Sequence, residues 1–499
     1  MDLLLAFNVL FDPTALLLIM IGTFLGITVG AIPGLTGTML IALSLPLTFT
    51  MTPVNALVLL VGMYVGAISG GLITAILLRM PGTGAAVMTT LDGYPMAQRG
   101  EAARALGIGI SASFFGCLIS WVFLATLSKP LADWGAKFGP FEVFSLVVMA
   151  MILIVSVSRG SMLMGLLAGA LGMLVSIPGT DPSTGMLRLT FGWHELDAGF
   201  GMMPVMIGIF AVGKIIADTM NMDTQMEIRE VKGRMIMSYS DLKQNFVNLL
   251  RSSLIGTWIG ILPGVGANIG SVVSYTSAKT FSKNPDEFGK GSPEGIVASE
   301  AANNATVGGA IIPMIALGIP GSVVDVILLG AMMIHQITPG PLLFKTNPDM
   351  VYGIIGAVLI ANVMMFLMMT GLIKQIARLV QVPRSRLLPI IMVFCVLGTY
   401  SLHNRWFDVW VMLAFGLFGF AAERFKMPLA PFIIGLILAP MAEANLRTGL
   451  MISGGSFTPL IERPLSAIFV IITIGLLAWQ LFSIIRGNKA KKQGSDEAT

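Results

Sequence analysis

Apolar runs, many of them close to the roughly 20 residues that a helix needs to cross a bilayer, follow one another along most of the chain. Some of these runs are too short or too interrupted to cross completely. The pattern therefore predicts an all-α, polytopic membrane protein with about 12 transmembrane helices. The runs lie at 15–32, 34–50, 55–78, 104–127, 141–158, 161–177, 199–216, 247–262, 300–320, 323–343, 351–373, 388–402, 406–422, 429–443 and 465–485.

The overall composition agrees with a lipid environment. Of the 499 residues 55% are hydrophobic and 11% are charged, and the mean hydropathy is +0.86, whereas a soluble domain carries roughly 25% charged residues. The net charge of +4 comes from Lys and Arg in the loops, where the positive-inside rule is the usual cause, so no nucleic-acid partner is expected. Cys117 and Cys395 lie inside apolar runs and are predicted to be small core residues.

Two Pro-Gly breaks interrupt apolar sequence between Gly256 and Ser322. They are Pro263-Gly264 and Pro320-Gly321. Helix breakers and polar side chains are costly in hydrocarbon unless they face protein or a water-filled cavity. Their concentration in one apolar region therefore predicts a binding site. The polar residues around the breaks are Asn268, Ser271, Ser274, Glu300, Asn303, Asn304 and Ser322.

The first half of the chain carries the same two breaks. Pro33 matches Pro263 at an offset of 230 (263 − 33), and Pro81 matches Pro320 at an offset of 239 (320 − 81). A charged insert around 283–295 explains the difference of 9 (239 − 230) between the two offsets. The chain is therefore predicted to contain an internal repeat, each copy built from Pro-Gly-broken helices or re-entrant hairpins.

Charges in the loops indicate that the two repeats are inverted. Asp2 and Asp12 precede the first helix without a basic residue, which places that end outside, whereas Lys243 and Arg251 place the start of the matching helix inside. Equivalent helices that enter from opposite sides form an inverted repeat, as in many secondary transporters. The predicted segments are a first membrane repeat (1–216), a cytoplasmic connector (217–247), a second membrane repeat with additional helices (248–485) and a cytoplasmic tail (486–499).

The breaks are suited to binding a carboxylate. A half-helix that begins at a break presents free N–H groups and the positive end of its dipole. Pro and Gly can also kink packed helices without any ligand, but four breaks in two matched pairs favour a site. The predicted substrate-binding residues are Pro33, Gly34, Thr36, Thr38, Pro81, Gly82, Thr83, Gly264, Asn268, Ser271, Asn303, Asn304, Gly321 and Ser322.

A coupling cation is predicted beside the carboxylate, with Asn268, Glu300, Asn304 and Asp325 as its candidate ligands. Either acid could neutralise a cation, and either could instead lie at a helix end in the headgroup region. Arg79 likewise has two interpretations, a partner for an anionic substrate or a side chain that extends to the membrane interface.

Signatures of catalysis are missing from the sequence. His194, His335 and His403 are far apart, and no H-E-x-x-H, G-x-S-x-G or Walker A motif occurs. We therefore expect no catalytic residues, no metal site and no cofactor other than a coupling ion. The alternatives to a transporter are a channel for anions or small polar solutes, an intramembrane enzyme and a scaffold subunit.

Four segments together resemble the large membrane subunit of the tripartite tricarboxylate transporter family. They are GAIPGLTGTM (30–39), MPGTGAAVMTTLDGYPMAQRGEAARALG (80–107), PGVGANIGSVVSYTSAK (263–279) and PEGIVASEAANNATVGGAIIPMIALGIPGS (293–322). The resemblance extends over nearly the whole chain. It implies a multi-pass secondary transporter of the bacterial cytoplasmic membrane that takes up citrate-like or other small carboxylates, driven by a Na⁺ or H⁺ gradient.

The same resemblance implies two protein partners. One is a small four-helix membrane subunit, and the other is a periplasmic solute-binding protein that delivers the substrate. A homo-oligomer is also compatible with the sequence. The basic residues Arg486, Lys489, Lys491 and Lys492 place the C-terminus in the cytoplasm.

Overall fold

The computed structural model describes residues 12–32, 35–157, 162–181, 184–220, 233, 235–379 and 384–479. Apart from one short antiparallel pair of strands, the regular structure in these residues is helical. Eight of the described helices are long and apolar enough to cross a membrane, and five further apolar helices are shorter. The chain is therefore a polytopic α-helical membrane protein, while the number of about 12 crossings stays a prediction.

The helices and strands follow the chain in this order. The first part contains α1 (Pro13–Ala31), α2 (Gly37–Thr48), α3 (Pro53–Leu78), α4 (Val87–Met96), α5 (Ala102–Gly135), α6 (Pro140–Val157), α7 (Met162–Ser176), β1 (Gly179–Thr180), β2 (Leu187–Arg188), α8 (Met202–Ile207) and α9 (Gly213–Thr219). The second part contains α10 (Tyr239–Ile261), α11 (Gly266–Phe281), α12 (Pro293–Leu317), α13 (Val323–Ile334), α14 (Leu343–Thr346), α15 (Pro348–Leu379), α16 (Arg384–His403), α17 (Trp406–Arg424), α18 (Leu429–Ile452), α19 (Pro459–Glu462) and α20 (Pro464–Trp479).

Helix α10 begins earlier than its apolar run. The run starts at residue 247, but the Ser238 hydroxyl caps the helix by accepting a hydrogen bond of 3.1 Å from the backbone N–H of Asp241. An N-cap of this kind satisfies a free N–H group of the first turn. The last residues of the predicted connector are therefore helical.

Two compact units divide the chain. Unit 1 contains Met1–Ala136 and Gly201–Ala421, and unit 2 contains Lys137–Phe200 and Ala422–Thr499. Each unit thus combines residues from both predicted repeats. The division describes how the chain packs, whereas the predicted repeat boundaries describe how its sequence is duplicated.

Glycines allow helices of unit 1 to pack backbone against backbone. A Cβ atom on Gly26 of α1 would collide with the carbonyl oxygen of Met63 on α3, and one on Gly256 of α10 would collide with that of Ala302 on α12. These two contacts are related by the offsets found in the sequence (256 − 26 = 230 and 302 − 63 = 239). Three further pairs of contacts are related by the same offsets. The contact of Gly30 with Ala67 matches that of Gly260 with Thr306, the contact of Gly70 with Ile27 matches that of Gly309 with Thr257, and the contact of Gly82 with Gly30 matches that of Gly321 with Gly260.

Unit 2 is held together partly by ion pairs. Arg447 of α18 contacts Asp181 at 2.9 Å and Glu443 at 2.7 Å, and Arg188 of β2 contacts Glu443 at 2.7 Å. These pairs attach the strand hairpin to α18. The apolar face of α18 packs on α6 and α7, where Phe432 is fully buried.

Candidate functional site

In each half of unit 1, the second Pro-Gly break lies against the last turn of the helix that precedes the first break. Gly82 lies against the carbonyl oxygen of Gly30, and Gly321 lies against that of Gly260. The break after α10 is shaped by two glycines with positive φ, Gly264 at 71° and Gly266 at 66°, a conformation that other residues rarely adopt. Two interrupted helices therefore meet in each half.

The breaks of the two halves also meet. A Cβ atom on Gly84, in the 3-10 turn after the break at Pro81, would lie 2.8 Å from Oδ1 of Asn268 on α11. Within the second half, a Cβ atom on Gly266 would lie 3.8 Å from Cβ of Ser322, so the break after α10 also lies next to the break before α13. The structure thus brings together breaks that are more than 180 residues apart in the sequence (264 − 82 = 182).

Hydroxyl and amide side chains join the halves next to these breaks. The Ser69 hydroxyl of α3 donates to Oδ1 of Asn304 on α12 at 2.5 Å, and the Tyr64 hydroxyl lies 3.0 Å from Oγ of Ser322. Ser69 and Asn304 are fully buried. These hydrogen bonds connect helices whose backbones do not hydrogen-bond to each other.

Glu300 accepts hydrogen bonds from hydroxyl groups of the first half. Thr89 of α4 donates to Oε1 of Glu300, and Ser113 of α5 donates to Oε2 at 3.1 Å. The hydroxyl of Ser299 lies 3.0 Å from that of Thr89. Glu300 is fully buried, and the ion pairs of the described residues do not include it. Its carboxyl group therefore has hydroxyl partners and no cationic one in that part of the chain.

Asp325 is the second fully buried acid at the breaks. It lies in the first turn of α13, where its backbone N–H donates to the capping Ser322 hydroxyl at 3.4 Å. Neither of its carboxyl oxygens makes a hydrogen bond of normal geometry with the described residues, and the polar groups nearest to them are the hydroxyl and the backbone N–H of Ser322. A buried carboxyl group in this situation is costly unless it is protonated or binds a cation or another donor.

Several buried polar atoms around the breaks have no protein partner within the described chain. Leaving such a group without a partner costs about 1–3 kcal/mol, so a cluster of them is a candidate place for a polar ligand. The atoms are Thr83 Oγ1, Ser271 Oγ, Ser274 Oγ, both amide atoms of Asn303, and both carboxyl oxygens of Asp325.

The remaining predicted residues have local roles or lie elsewhere. Thr36 caps α2 by accepting from the backbone N–H of Met39 at 3.1 Å, and Thr38 lies half-buried in the first turn of that helix. Pro81 is exposed, while Pro33 and Gly34 fall outside the described residues. Arg79 is exposed at the end of α3, with its guanidinium 5.9 Å from the centre of the Tyr94 ring.

Sequence reasoning missed Tyr64, Ser69, Ser113 and Ser299. Each is a hydroxyl residue within an otherwise apolar or small-residue helix, and such residues usually bond to their own backbone. Nothing in their local sequence identifies them. Their partners lie at least 187 residues away (300 − 113), so they became recognisable once the helices were placed.

A buried carboxylate fixes the loop that precedes α12. Oδ1 of Asp92 accepts hydrogen bonds from the backbone N–H groups of Gly289, Gly291 and Ser292 at 2.8, 2.9 and 2.8 Å. Oδ2 accepts from the Tyr275 hydroxyl at 2.7 Å. Successive N–H groups that point to one anion form a concave anion-binding turn. Asp92 of the first half therefore fixes the charged insert around 283–295 of the second half.

Broken helices with buried polar groups, within a multi-span helical protein, are typical of membrane transporters. Comparison of sequences identifies the group within that class. Residues 16–434 match the Tripartite tricarboxylate transporter TctA family, and the chain belongs to this family. The family is a transporter family, and its members are the large subunits of tripartite systems.

Two proteins of Agrobacterium vitis are similar to the chain. One, named as an uncharacterized 52.8 kDa protein in the TAR-I ttuC′ 3′ region, is 34% identical over 491 residues, which is 98% of each chain. The other, in the TAR-II ttuC′ 3′ region, is 36% identical over 212 residues, covering 42% of this chain and 88% of that protein. No solved structure gives a significant match.

Proposed function

We propose that the chain is the transport subunit for ion-gradient-driven uptake of a tricarboxylate or another small carboxylate. The observation that carries this proposal is the cluster of buried polar atoms without protein partners at the meeting of the breaks, above all those of Asn303 and Asp325. The amide of Asn303 can donate to a carboxylate, as can free N–H groups at the start of a half-helix. Family membership supports transport as the activity.

The depth of Asn303 supports a site at the middle of the membrane. Helix α12 begins at Pro293, and ten residues at 1.5 Å each carry the chain about 15 Å. Counted from the start of the helix, that distance is half of a hydrocarbon core of about 30 Å. Substrate sites of transporters with broken helices lie near this depth.

The directions of the helices support two inverted repeats. Gly93 of α4 lies against Ile76 of α3, and Gly82 lies against Gly71, so α4 runs in the same direction as α3. Against α12, however, Thr89 lies at Ser299 and Asp92 at Gly295, so α4 runs antiparallel to that helix. Helix α3 is therefore antiparallel to its counterpart α12.

A coupling cation or proton at Asp325 or Glu300 would offset the charge of the substrate. Both acids are fully buried, and a carboxylate substrate beside an unneutralised acid would be repelled. Co-binding of Na⁺ or H⁺ removes this repulsion and gives a physical reason for symport. Asn304, one turn after Glu300 on α12, and Asn268, which lies against Gly84 at the meeting of the halves, complete the proposed set of ion ligands.

Contacts between basic loops support a cytoplasmic position for that end of unit 1. The Arg99 guanidinium donates to the backbone carbonyl of Lys290, and Arg104 contacts Asp241 at 2.8 Å. Clustering of basic loops on one side is typical of the cytoplasmic face. We infer a position in the bacterial inner membrane with the C-terminus in the cytoplasm. We also infer two partners, a small membrane subunit and a periplasmic binding protein that delivers the substrate.

Uptake by proteoliposomes tests this proposal. The chain would be reconstituted with its small subunit and binding protein and offered labelled di- and tricarboxylates with and without an inward Na⁺ or H⁺ gradient. We expect saturable, gradient-dependent uptake of a carboxylate. Flux that is neither saturable nor gradient-dependent would indicate a channel instead.

Substitution of the two asparagines locates the site. We expect Asn303→Ala or Asn304→Ala to abolish uptake while the protein still folds, because an alanine cannot hydrogen-bond to the substrate or to Ser69. Asn347→Ala is the matched control, since Asn347 ends the short helix α14. Unchanged uptake by both site variants would remove these residues from the proposed site.

A further inference from the structure

An open apolar groove of about 560 Å³ lies between α10 and α11. Its lining includes Leu250, Leu254, Trp258 and Val273, together with one charged residue, Arg251. The side chains face outward, with Trp258 57% and Val273 43% exposed. Large apolar side chains exposed in a membrane protein contact lipid or another apolar partner.

The groove is as long as one leaflet of a bilayer. Helices α10 and α11 form a hairpin around the break at Pro263-Gly264. From Arg251 to the end of α10 at Ile261 the chain advances ten residues, or about 15 Å, which is half of the hydrocarbon core. A transmembrane helix spans both leaflets, whereas one acyl chain of a phospholipid spans one.

Positive charge is concentrated at one end of this groove. The ring of Phe281, at the end of α11, lies 5.2 Å from the Arg251 guanidinium, so this is the end at which the hairpin leaves the membrane. Lys279 and Lys283 are exposed there. The loop between α11 and α12 belongs to the same end and carries Asp286 and Glu287 beside its lysines. The positive charge on the groove itself therefore comes from Arg251, its one charged lining residue, above an apolar floor.

The guanidinium of Arg251 still has N–H groups that can bind an anion. It donates to Oδ1 of Asn248 at 2.8 Å, but its buried Nε–H has no partner among the described residues. Glu294 is near enough to attract it, but the ion pairs found in the described chain do not include Arg251. Guanidinium groups bind phosphate through several N–H groups at once.

We propose that the groove binds an anionic phospholipid of the surrounding membrane. One acyl chain lies along Leu254 and Trp258, and the phosphate group lies on Arg251. Lys279 adds long-range attraction for an anionic headgroup. The site is separate from the proposed carboxylate site, because it opens to the outer surface of α10 and α11.

Lipid retention by the purified full-length protein tests this assignment. The protein would be placed in nanodiscs with equal parts of phosphatidylcholine and phosphatidylglycerol, extracted into detergent, and analysed for bound lipid by native mass spectrometry. We expect the wild-type protein to retain phosphatidylglycerol preferentially. Arg251→Gln should weaken this preference about fivefold to tenfold, and Arg424→Gln, at the exposed end of α17, should leave it unchanged.

Two outcomes would overturn the proposal. One is equal retention of both lipids by the wild-type protein, and the other is wild-type retention of phosphatidylglycerol by Arg251→Gln. If Arg251→Gln does not fold, Val273→Trp provides the test, because the larger ring fills the groove and should remove bound lipid of either kind. A photo-crosslinker at position 273 should label phospholipid in cells, and labelling of a polypeptide instead would show that a protein occupies the groove.

Discussion

Replacing Asp92 should release the loop that precedes α12. Its carboxylate accepts four hydrogen bonds, three from the backbone N–H groups of Gly289, Gly291 and Ser292 and one from Tyr275. In Asp92→Ala all four donors lose their partner. In Asp92→Asn the amide oxygen can still face the three N–H groups, but the negative charge is gone.

The size of the effect follows from these bonds. A hydrogen bond to a charged group contributes about 1.5–3 kcal/mol, and an unsatisfied buried donor costs about 1–3 kcal/mol. The loop is partly exposed, so it can open and hydrate the donors instead of bearing the full sum. We therefore expect Asp92→Ala to lower the free energy of opening the loop by about 3 kcal/mol, and Asp92→Asn by about 1–2 kcal/mol.

Limited proteolysis with trypsin measures this opening. Lys283 and Lys290 lie in the loop, and cleavage there requires the loop to leave its closed position. When opening is fast relative to cleavage, the rate follows the open population, so 3 kcal/mol corresponds to an increase of more than about hundredfold. Asp286→Asn is the matched control, because Asp286 is exposed in the same loop. Cleavage of Asp92→Ala at the wild-type rate would refute the reasoning.

Two further predictions concern the contacts between helices, one the glycine contacts and the other a hydrogen bond. Gly26→Ala and Gly256→Ala should each lower the free energy of unfolding by about 1–3 kcal/mol, because the new methyl group meets backbone atoms of the neighbouring helix. In the control variant Gly371→Ala the new methyl group meets nothing within 4 Å, so this variant should be neutral or stabilising. Thermal unfolding in detergent compares the stabilities of the three variants. Equal effects of all three would contradict the packing argument. A double-mutant cycle of Ser69→Ala and Asn304→Ala should give a coupling energy of about 0.6–1.7 kcal/mol, and a value of zero would mean that their hydrogen bond does not contribute.

Much of the helical framework could be predicted from the sequence. Apolar runs fix where a membrane helix can form, because every backbone polar group in lipid needs an internal partner. The breaks at Pro81 and Pro320 were also readable, since proline cannot donate to the helix ladder. The start of α10 at Tyr239 was missed because its first turns are polar and depend on the cap of Ser238 rather than on hydrophobicity.

The partners within the candidate site could not be predicted in the same way. Asn303 and Asn304 could be named as candidates from the sequence because two adjacent amides in an apolar helix need an explanation. Ser69 and Ser113 have no such signal, since a serine can satisfy its hydroxyl with the carbonyl four residues earlier. Their roles depend on which helices become neighbours, and the sequence of one helix does not contain that information.

Two kinds of contact hold the helices of unit 1 together. Glycines bring backbones into contact within each half and also between α5 and α12, where a Cβ atom on Gly116 would collide with the carbonyl oxygen of Ala301. Within a half, Gly26 and Gly256 bring backbones together so closely that any separation leaves unfilled space, and packed interiors resist such change. Between the halves, Ser69, Thr89 and Tyr64 make hydrogen bonds through hydroxyl groups. Such bonds contribute about 0.5–1.5 kcal/mol each, and water or a ligand can replace them. Exposure of the site to either side of the membrane would therefore exchange the hydroxyl contacts of α3 and α4 with the second half before it disturbed the glycine contacts, including that of α5 with α12.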